Sequence, residues 1–198
     1  MRYTAEHSEE TRQRVLDAAG RQFRLHGFGG IGIDGLTKAA GVTSGAFYGH
    51  FRTKADAFRA VAVQGLERLL SGLERFRTQN SSGWLDAFAR FYLSSEHRKD
   101  VGGGCALPSL TAEVGRAAPA ARAEFEAELL RIADAVIAGL PAGDQSNREA
   151  AWPILALLAG GTMLARAVKD EVTAEQISEA VLAAVRREAG IETLDVRC

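Results

Sequence analysis

Apolar residues recur at three- and four-residue intervals along nearly the whole chain, and no stretch alternates strictly between apolar and polar as a half-buried strand does. That periodicity confines the chain to packed helices, because every segment carries an apolar stripe that another must cover. Breaker residues divide it into nine predicted helices, at about 8–26, 33–40, 43–50, 53–80, 84–96, 107–114, 120–139, 146–169 and 173–189. Ser8 is the expected N-cap of the first, and Thr53 with Asp56 resembles a capping box at the fourth. Ser146-Asn147-Arg148-Glu149 and Thr173-Ala174-Glu175-Gln176 are capping-box sequences for the last two. Asn80-Ser81-Ser82-Gly83 ends the fourth helix, Pro153 should kink the eighth or displace its start, and the tail after Gly190 should fray. With no sheet and no internal repeat, the predicted fold is an all-α bundle of about nine helices.

At 198 residues the chain can bury a core as one large or two small domains. Its 46% hydrophobic and 25% charged residues argue against disorder. The two cysteines, Cys105 and Cys198, are far apart and stand in no metal-ligand spacing. They exclude a disulfide scaffold and a structural zinc site and are consistent with a reducing cytosol. Neither metal nor cofactor is expected. The N-terminus lacks the apolar core of a signal peptide, and the longest uncharged run is 16 residues, between Glu149 and Arg166. A membrane span needs about 20, so the expected location is cytoplasmic. The net charge of −1 is unevenly divided: residues 1–60 hold nine Lys/Arg against six acids, and the remainder 15 against 19. A basic head on an acidic body suits a polyanion at one end, although chance imbalance of solvated faces gives the same numbers.

The segment 33–51 carries the most specific signal. Two short helices meet at Gly41-Val42-Thr43, where Gly41 can adopt the left-handed backbone of a sharp reversal and Val42 can plug the core. This is the pattern of a helix-turn-helix, whose second helix enters a DNA major groove by its N-terminal end. Thr43, Ser44, Gly45 and Ala46 are small or polar there. Tyr48, His50 and Lys54 can donate to phosphates, and the nearby Lys38 is counted with this DNA-binding set. On spacing alone, a tight helical hairpin in an ordinary bundle explains the segment as well.

Thr11-x-x-Arg14-Val15-Leu16-x-Ala18-Ala19-x-x-x-Phe23-x-x-x-Gly27-Phe28 resembles the first helix of regulators of the tetracycline-repressor (TetR) family. Ala39-Ala40-Gly41-Val42-Thr43-Ser44-Gly45-Ala46-Phe47-Tyr48-x-His50-Phe51-x-x-Lys54 resembles that family's helix-turn-helix and the start of its fourth helix. The resemblance implies a DNA-binding domain at 8–68, with the helix-turn-helix at about 32–51, and a ligand-binding and dimerising helical domain at 69–190. Thr43, Ser44, Gly45 and Ala46 would then face bases, Tyr48, His50 and Lys54 would hold phosphates, and Phe47 and Phe51 would be core. Gly32, Leu36-Thr37 and Gly49 depart from the usual family residues. The implied function is a transcriptional repressor, released from double-stranded operator DNA by a small-molecule effector and dimerising through about 146–189. The alternatives are a helical interaction protein without DNA binding, or a small-molecule enzyme, although no nucleophile–base pattern supports catalysis.

Other features admit two uses each. Gly27-x-Gly29-x-x-Gly32 matches a dinucleotide-binding pattern, but it follows a helix rather than a strand and reads as a loop. Trp84, Phe88, Phe91 and Tyr92, with Trp152 and Met163, either line a ligand cavity or pack a core. Gly104-Cys105-x-x-x-x-Leu110-x-x-Glu113 resembles a stretch of one TetR branch. Cys105 is accordingly a candidate ligand-site residue, either a reactive thiol at a helix start or a small buried hydrophobe. Ala156/Gly160 and Gly161/Ala165 permit close helix approach, within one chain or across a dimer.

Overall fold

The computed structural model describes residues 5–80, 83–140 and 151–191. Ten helices and no strand occur among them: α1 Ala5–His26, α2 Ile33–Ala40, α3 Ser44–His50, α4 Lys54–Asn80, α5 Trp84–Tyr92, α6 Ser95–Lys99, α7 Ala106–Val114, α8 Pro119–Ile137, α9 Ala151–Ala167 and α10 Glu171–Glu188. The fold is all-α as expected, with one helix more than the periodicity predicts. The additional one is α6: the aromatic helix ends at Tyr92, and Ser94 caps a new turn by accepting from the His97 N–H. At α10, Asp170 rather than Thr173 is the N-cap, its Oδ2 accepting from both the N–H and the hydroxyl of Thr173 at 2.7 Å. Likewise α1 is already helical at Ala5, which places Ser8 inside it. Thr53 caps α4 as expected, accepting from the Asp56 N–H at 3.0 Å. The predicted cap at Ser146–Glu149, the Ser81-Ser82 break, Cys198 and the tail beyond Ile191 lie outside the described residues.

The chain divides into two units, Met1–Leu66 with Val101–Glu126, and Glu67–Asp100 with Ala127–Cys198. In the first, α1 contributes the fully buried Val15, Ala19 and Phe23, α2 contributes Leu36, α3 contributes Phe47, and α7 contributes Leu110. Phe23, Phe28 and Phe58 form a ring cluster, with Phe58 edge-on to the other two at 5.4 and 5.2 Å. Such pairs add about 0.5–1.5 kcal/mol beyond burial. Gly65 of α4 lies against α7 so closely that a Cβ there would collide with the Ala106 methyl.

In the second unit, Trp84, Leu85, Phe88 and Tyr92 of α5 are buried with Ile132 and Val136 of α8 and Ile154 and Leu158 of α9. Gly161 brings α9 onto α10, where an added Cβ would stand 2.8 Å from the Val181 methyls. Gly161 and Ala165 therefore serve packing within the chain, both being buried, whereas Ala156 is exposed. Arg98 of α6 is buried and donates to Ser178 (2.9 Å), Glu171 (3.2 Å) and Glu175 (3.4 Å), which fastens α6 to α10.

Beside it, His97 directs Nδ1 at the Tyr92 carbonyl at 2.7 Å, and its ring lies tilted against the Tyr92 ring with centroids 4.7 Å apart. Burial holds its pKa below the ordinary 6.5, and the Arg166 charge acts in the same direction. The Tyr92 carbonyl and Asp100 oppose this without overcoming it. A histidine kept neutral by folding stabilises fully above its unfolded pKa and loses that contribution as pH falls towards the folded value. The thermal midpoint is therefore expected to drop as pH is lowered below about 6.5. A His97→Gln variant should show a shallower acid slope in melts followed by circular dichroism. An identical slope would rule out His97 as the responsible group.

Candidate nucleic-acid interface

The turn between α2 and α3 is built by backbone geometry that only some residues permit. Gly41 ends α2 in the left-handed conformation (φ 64°, ψ 36°). Its N–H donates to the Lys38 carbonyl (3.2 Å), and the Val42 N–H reaches the Thr37 carbonyl (3.0 Å). This paired closure satisfies the last carbonyls of α2 and reverses the chain within three residues. Thr43 then caps α3, its Oγ1 accepting from the Ala46 N–H at 3.2 Å. The Phe47 N–H donates to the Thr43 carbonyl at 3.0 Å.

Helix α3 has seven residues, too few to be stable alone. Phe47, fully buried, fixes it to the head; its ring lies 5.6 Å from Phe51, over which Arg12 sits at 5.7 Å. With that one side chain inward, Thr43, Ser44, Gly45, Tyr48 and Gly49 are exposed, and Ala46 and His50 half-buried. Tyr48 is 52% exposed, yet its ring packs edge-on to Phe47 at 5.5 Å. The result is a small, hydroxyl-bearing surface on a rigid base.

Of the remaining predicted DNA-facing residues, Lys38 is exposed in the last turn of α2. Lys54 is half-buried: its Nζ donates to the Ile31 carbonyl at 2.7 Å and lies 4.4 Å from the centre of the Phe28 ring. It ties the α1–α2 loop to the start of α4, a role that its position at a helix start did not reveal. A second tie was also missed. Glu113 of α7 accepts the Phe28 N–H at 2.7 Å, and Arg24 donates to the Gly102 carbonyl at 2.7 Å, so residues 101–126 brace the corner before α2. The spacing Cys105…Glu113 was the only signal for this in the sequence.

The predicted ligand residues are more scattered. Trp84, Phe88 and Tyr92 are buried side by side on α5, with Phe88 and Tyr92 rings 5.5 Å apart. Phe91 and Met163 are 43% and 47% exposed, and Trp152 is half-buried. Cys105 belongs to the other unit, as the half-buried N-cap residue of α7. Among the described residues, no group of three or more His, Cys, Asp or Glu could hold a metal ion, and no helix is long and apolar enough to cross a membrane.

A tight glycine reversal, a capped short helix and a polar face anchored by one aromatic define a helix-turn-helix protein. Residues 15–61 match the family described as bacterial regulatory proteins, tetR family. Over 60 residues the chain is 43% identical to the HTH-type transcriptional regulator AcrR of Shigella flexneri, a stretch covering 30% of this chain and 28% of AcrR. The chain spans between 28% and 45% of the length of the curated relatives it matches. Similarity over nearly the whole length comes from solved structures. A TetR-family transcriptional regulator from Cytophaga hutchinsonii superposes with a TM-score of 0.77 at 22% identity, over 97% of this chain and 99% of that one. The TetR-family regulator SCO4454 from Streptomyces coelicolor gives 0.72 at 26% identity, over 93% and 97%. Residues 15–61 are thus similar to the DNA-binding region of tetR-family regulators, and the fold over nearly the whole chain is the one these solved structures share.

Proposed function

We propose that this chain is a DNA-binding transcriptional regulator, a repressor acting on double-stranded operator DNA and released by a small-molecule effector. The observation that carries the reading is the face of α3, where Thr43, Ser44, Gly45 and Tyr48 are exposed while Phe47 alone is committed to the core. Small side chains at the first turn let backbone and hydroxyls approach base edges, and Tyr48, His50, Lys38 and Lys54 supply donors for phosphates. Lys54 does so with the donors not used on Ile31. The chain acts as a homodimer through α9 and α10, on which Met163, Leu164 and Val172 are exposed at 47%, 62% and 65%. A two-fold dimer sets its recognition helices about 34–36 Å apart, one turn of the duplex. The effector site of this reading is the aromatic cluster of α5, with Trp84, Phe88 and Tyr92 at its centre. A ligand there needs a coupling of only about 1–3 kcal/mol to shift operator affinity roughly 5–150-fold.

Gel shifts on the DNA upstream of the chain's own gene, at graded salt, test this. Tyr48→Phe is expected to weaken binding to every bound site alike, by about tenfold, without changing the salt slope. Lys38→Ala should lower the slope of log K against log salt by about 0.9, the value for one phosphate contact. Loss confined to one operator sequence would contradict the phosphate roles. No salt-dependent binding to any duplex would favour an interaction protein instead.

A further inference from the structure

Helix α3 carries a glycine, Gly49, at an exposed position in its last turn. A fold requires glycine where the backbone takes a positive φ, or where a neighbour leaves no room for a Cβ. Neither condition holds at Gly49. Its φ is not positive. Among the described residues, a Cβ there would meet nothing within 4 Å beyond its chain neighbours and the backbone of its own helix. Gly65 and Gly161 differ, each lying against a facing helix where a Cβ would collide. A helical glycine disfavours the helix about two- to fivefold relative to alanine. With only seven residues, α3 has little to offset that loss. The fold alone therefore gives no reason for glycine at 49.

A partner surface gives one. Tyr48, the preceding residue, is 52% exposed although large and aromatic, and its ring is held edge-on against the buried Phe47. Gly49 stands about 4–8 Å further along the helix axis than Ser44, Gly45 and Ala46, at a rise of about 1.5 Å per residue. Where the first turn enters a groove, that displacement leads towards the groove wall, which is sugar and phosphate. We infer that a sugar–phosphate strand lies against the α3 backbone at Gly49, as close as the missing Cβ allows. This placement rests on the DNA-binding reading above and adds a residue to it. Sugar C–H groups pack on the Gly49 Cα while Tyr48 Oη donates to the adjoining phosphate. A methyl group at 49 holds the strand off and lengthens the Tyr48 bond, so the bare position sets how deeply α3 seats.

Stability and affinity are then expected to move in opposite directions. Gly49→Ala should raise the thermal midpoint of the full chain by about 1–4 °C. In fluorescence anisotropy it should weaken binding about tenfold, the worth of one lost hydrogen bond. The loss should be equal on the DNA upstream of the chain's own gene and on a mixed-sequence duplex, because a strand contact does not depend on sequence. Gly49→Leu should cost on the order of a hundredfold, as further contacts are displaced. Gly72 of α4 is a helical glycine equally open around its Cβ position. Gly72→Ala should give a similar rise in midpoint and leave binding within about twofold. Undiminished affinity in Gly49→Ala overturns the inference, and so does an equal loss in Gly72→Ala, which would trace to helix stiffness. A fallen midpoint in Gly49→Ala would show that the fold itself needs the glycine, and a loss confined to the upstream DNA would put a base there; either overturns it. If the unaltered chain binds neither duplex, the DNA-binding reading falls and takes the inference with it. If it binds both and Gly49→Ala binds as well, the inference falls alone.

Discussion

Ser44→Glu is expected to abolish operator binding while leaving the fold intact. Ser44 is the first residue of α3 and is exposed. A carboxylate at that position is favourable for the helix, whose N-terminus carries partial positive charge. Against DNA phosphates the same carboxylate is repelled, and like-charge juxtaposition at an interface costs several kcal/mol, on the order of a hundredfold in affinity or more. Fluorescence anisotropy with labelled operator and a parallel thermal melt separate the two effects. Unchanged affinity in a folded Ser44→Glu protein would remove α3 from the interface. The penalty should also shrink as salt is raised, because it acts between solvent-accessible charges.

Phe47→Ala should give the opposite signature, loss of binding through loss of structure. Phe47 is fully buried and is the core anchor of α3. Truncating a buried Phe typically costs about 3–5 kcal/mol, a large share of the stability of a small domain. Amide exchange over 33–51 is expected to rise steeply, while the second unit retains its protection. A head that keeps its protection with Ala at 47 would show that α3 is held by something other than this ring.

The contrast between neighbouring residues 44 and 47 also shows what the sequence could and could not disclose. The reversal was legible because Gly41 has few conformational substitutes and Thr43 is a strong cap, both local properties. Phe47 as core and Ser44 as surface follow from helical spacing around the same turn. Lys54 was half-legible: its position at a helix start suggested a phosphate donor, but its bond to the Ile31 carbonyl joins residues 23 positions apart. The bond from the Phe28 N–H to Glu113 spans 85 positions, and the pairing of Asp86 with Arg186 spans 100. No periodicity encodes such meetings. Burial pushes the Asp86 carboxyl up, yet the hydrogen bonds from Arg186 and Arg90 together outweigh it and hold its pKa below the ordinary value. Helix boundaries failed where two caps competed. Asp170 prevailed over Thr173 because its carboxylate takes two hydrogen bonds from that threonine.

The single inward side chain of α3 has a consequence for how such a protein changes over generations. Stability is concentrated in one residue of the seven, so the outward positions are free to vary without endangering the domain. If α3 is the recognition helix proposed above, a lineage can drift to a new target sequence by point changes that selection on folding does not oppose. The scaffold stays fixed while its outward face is rewritten.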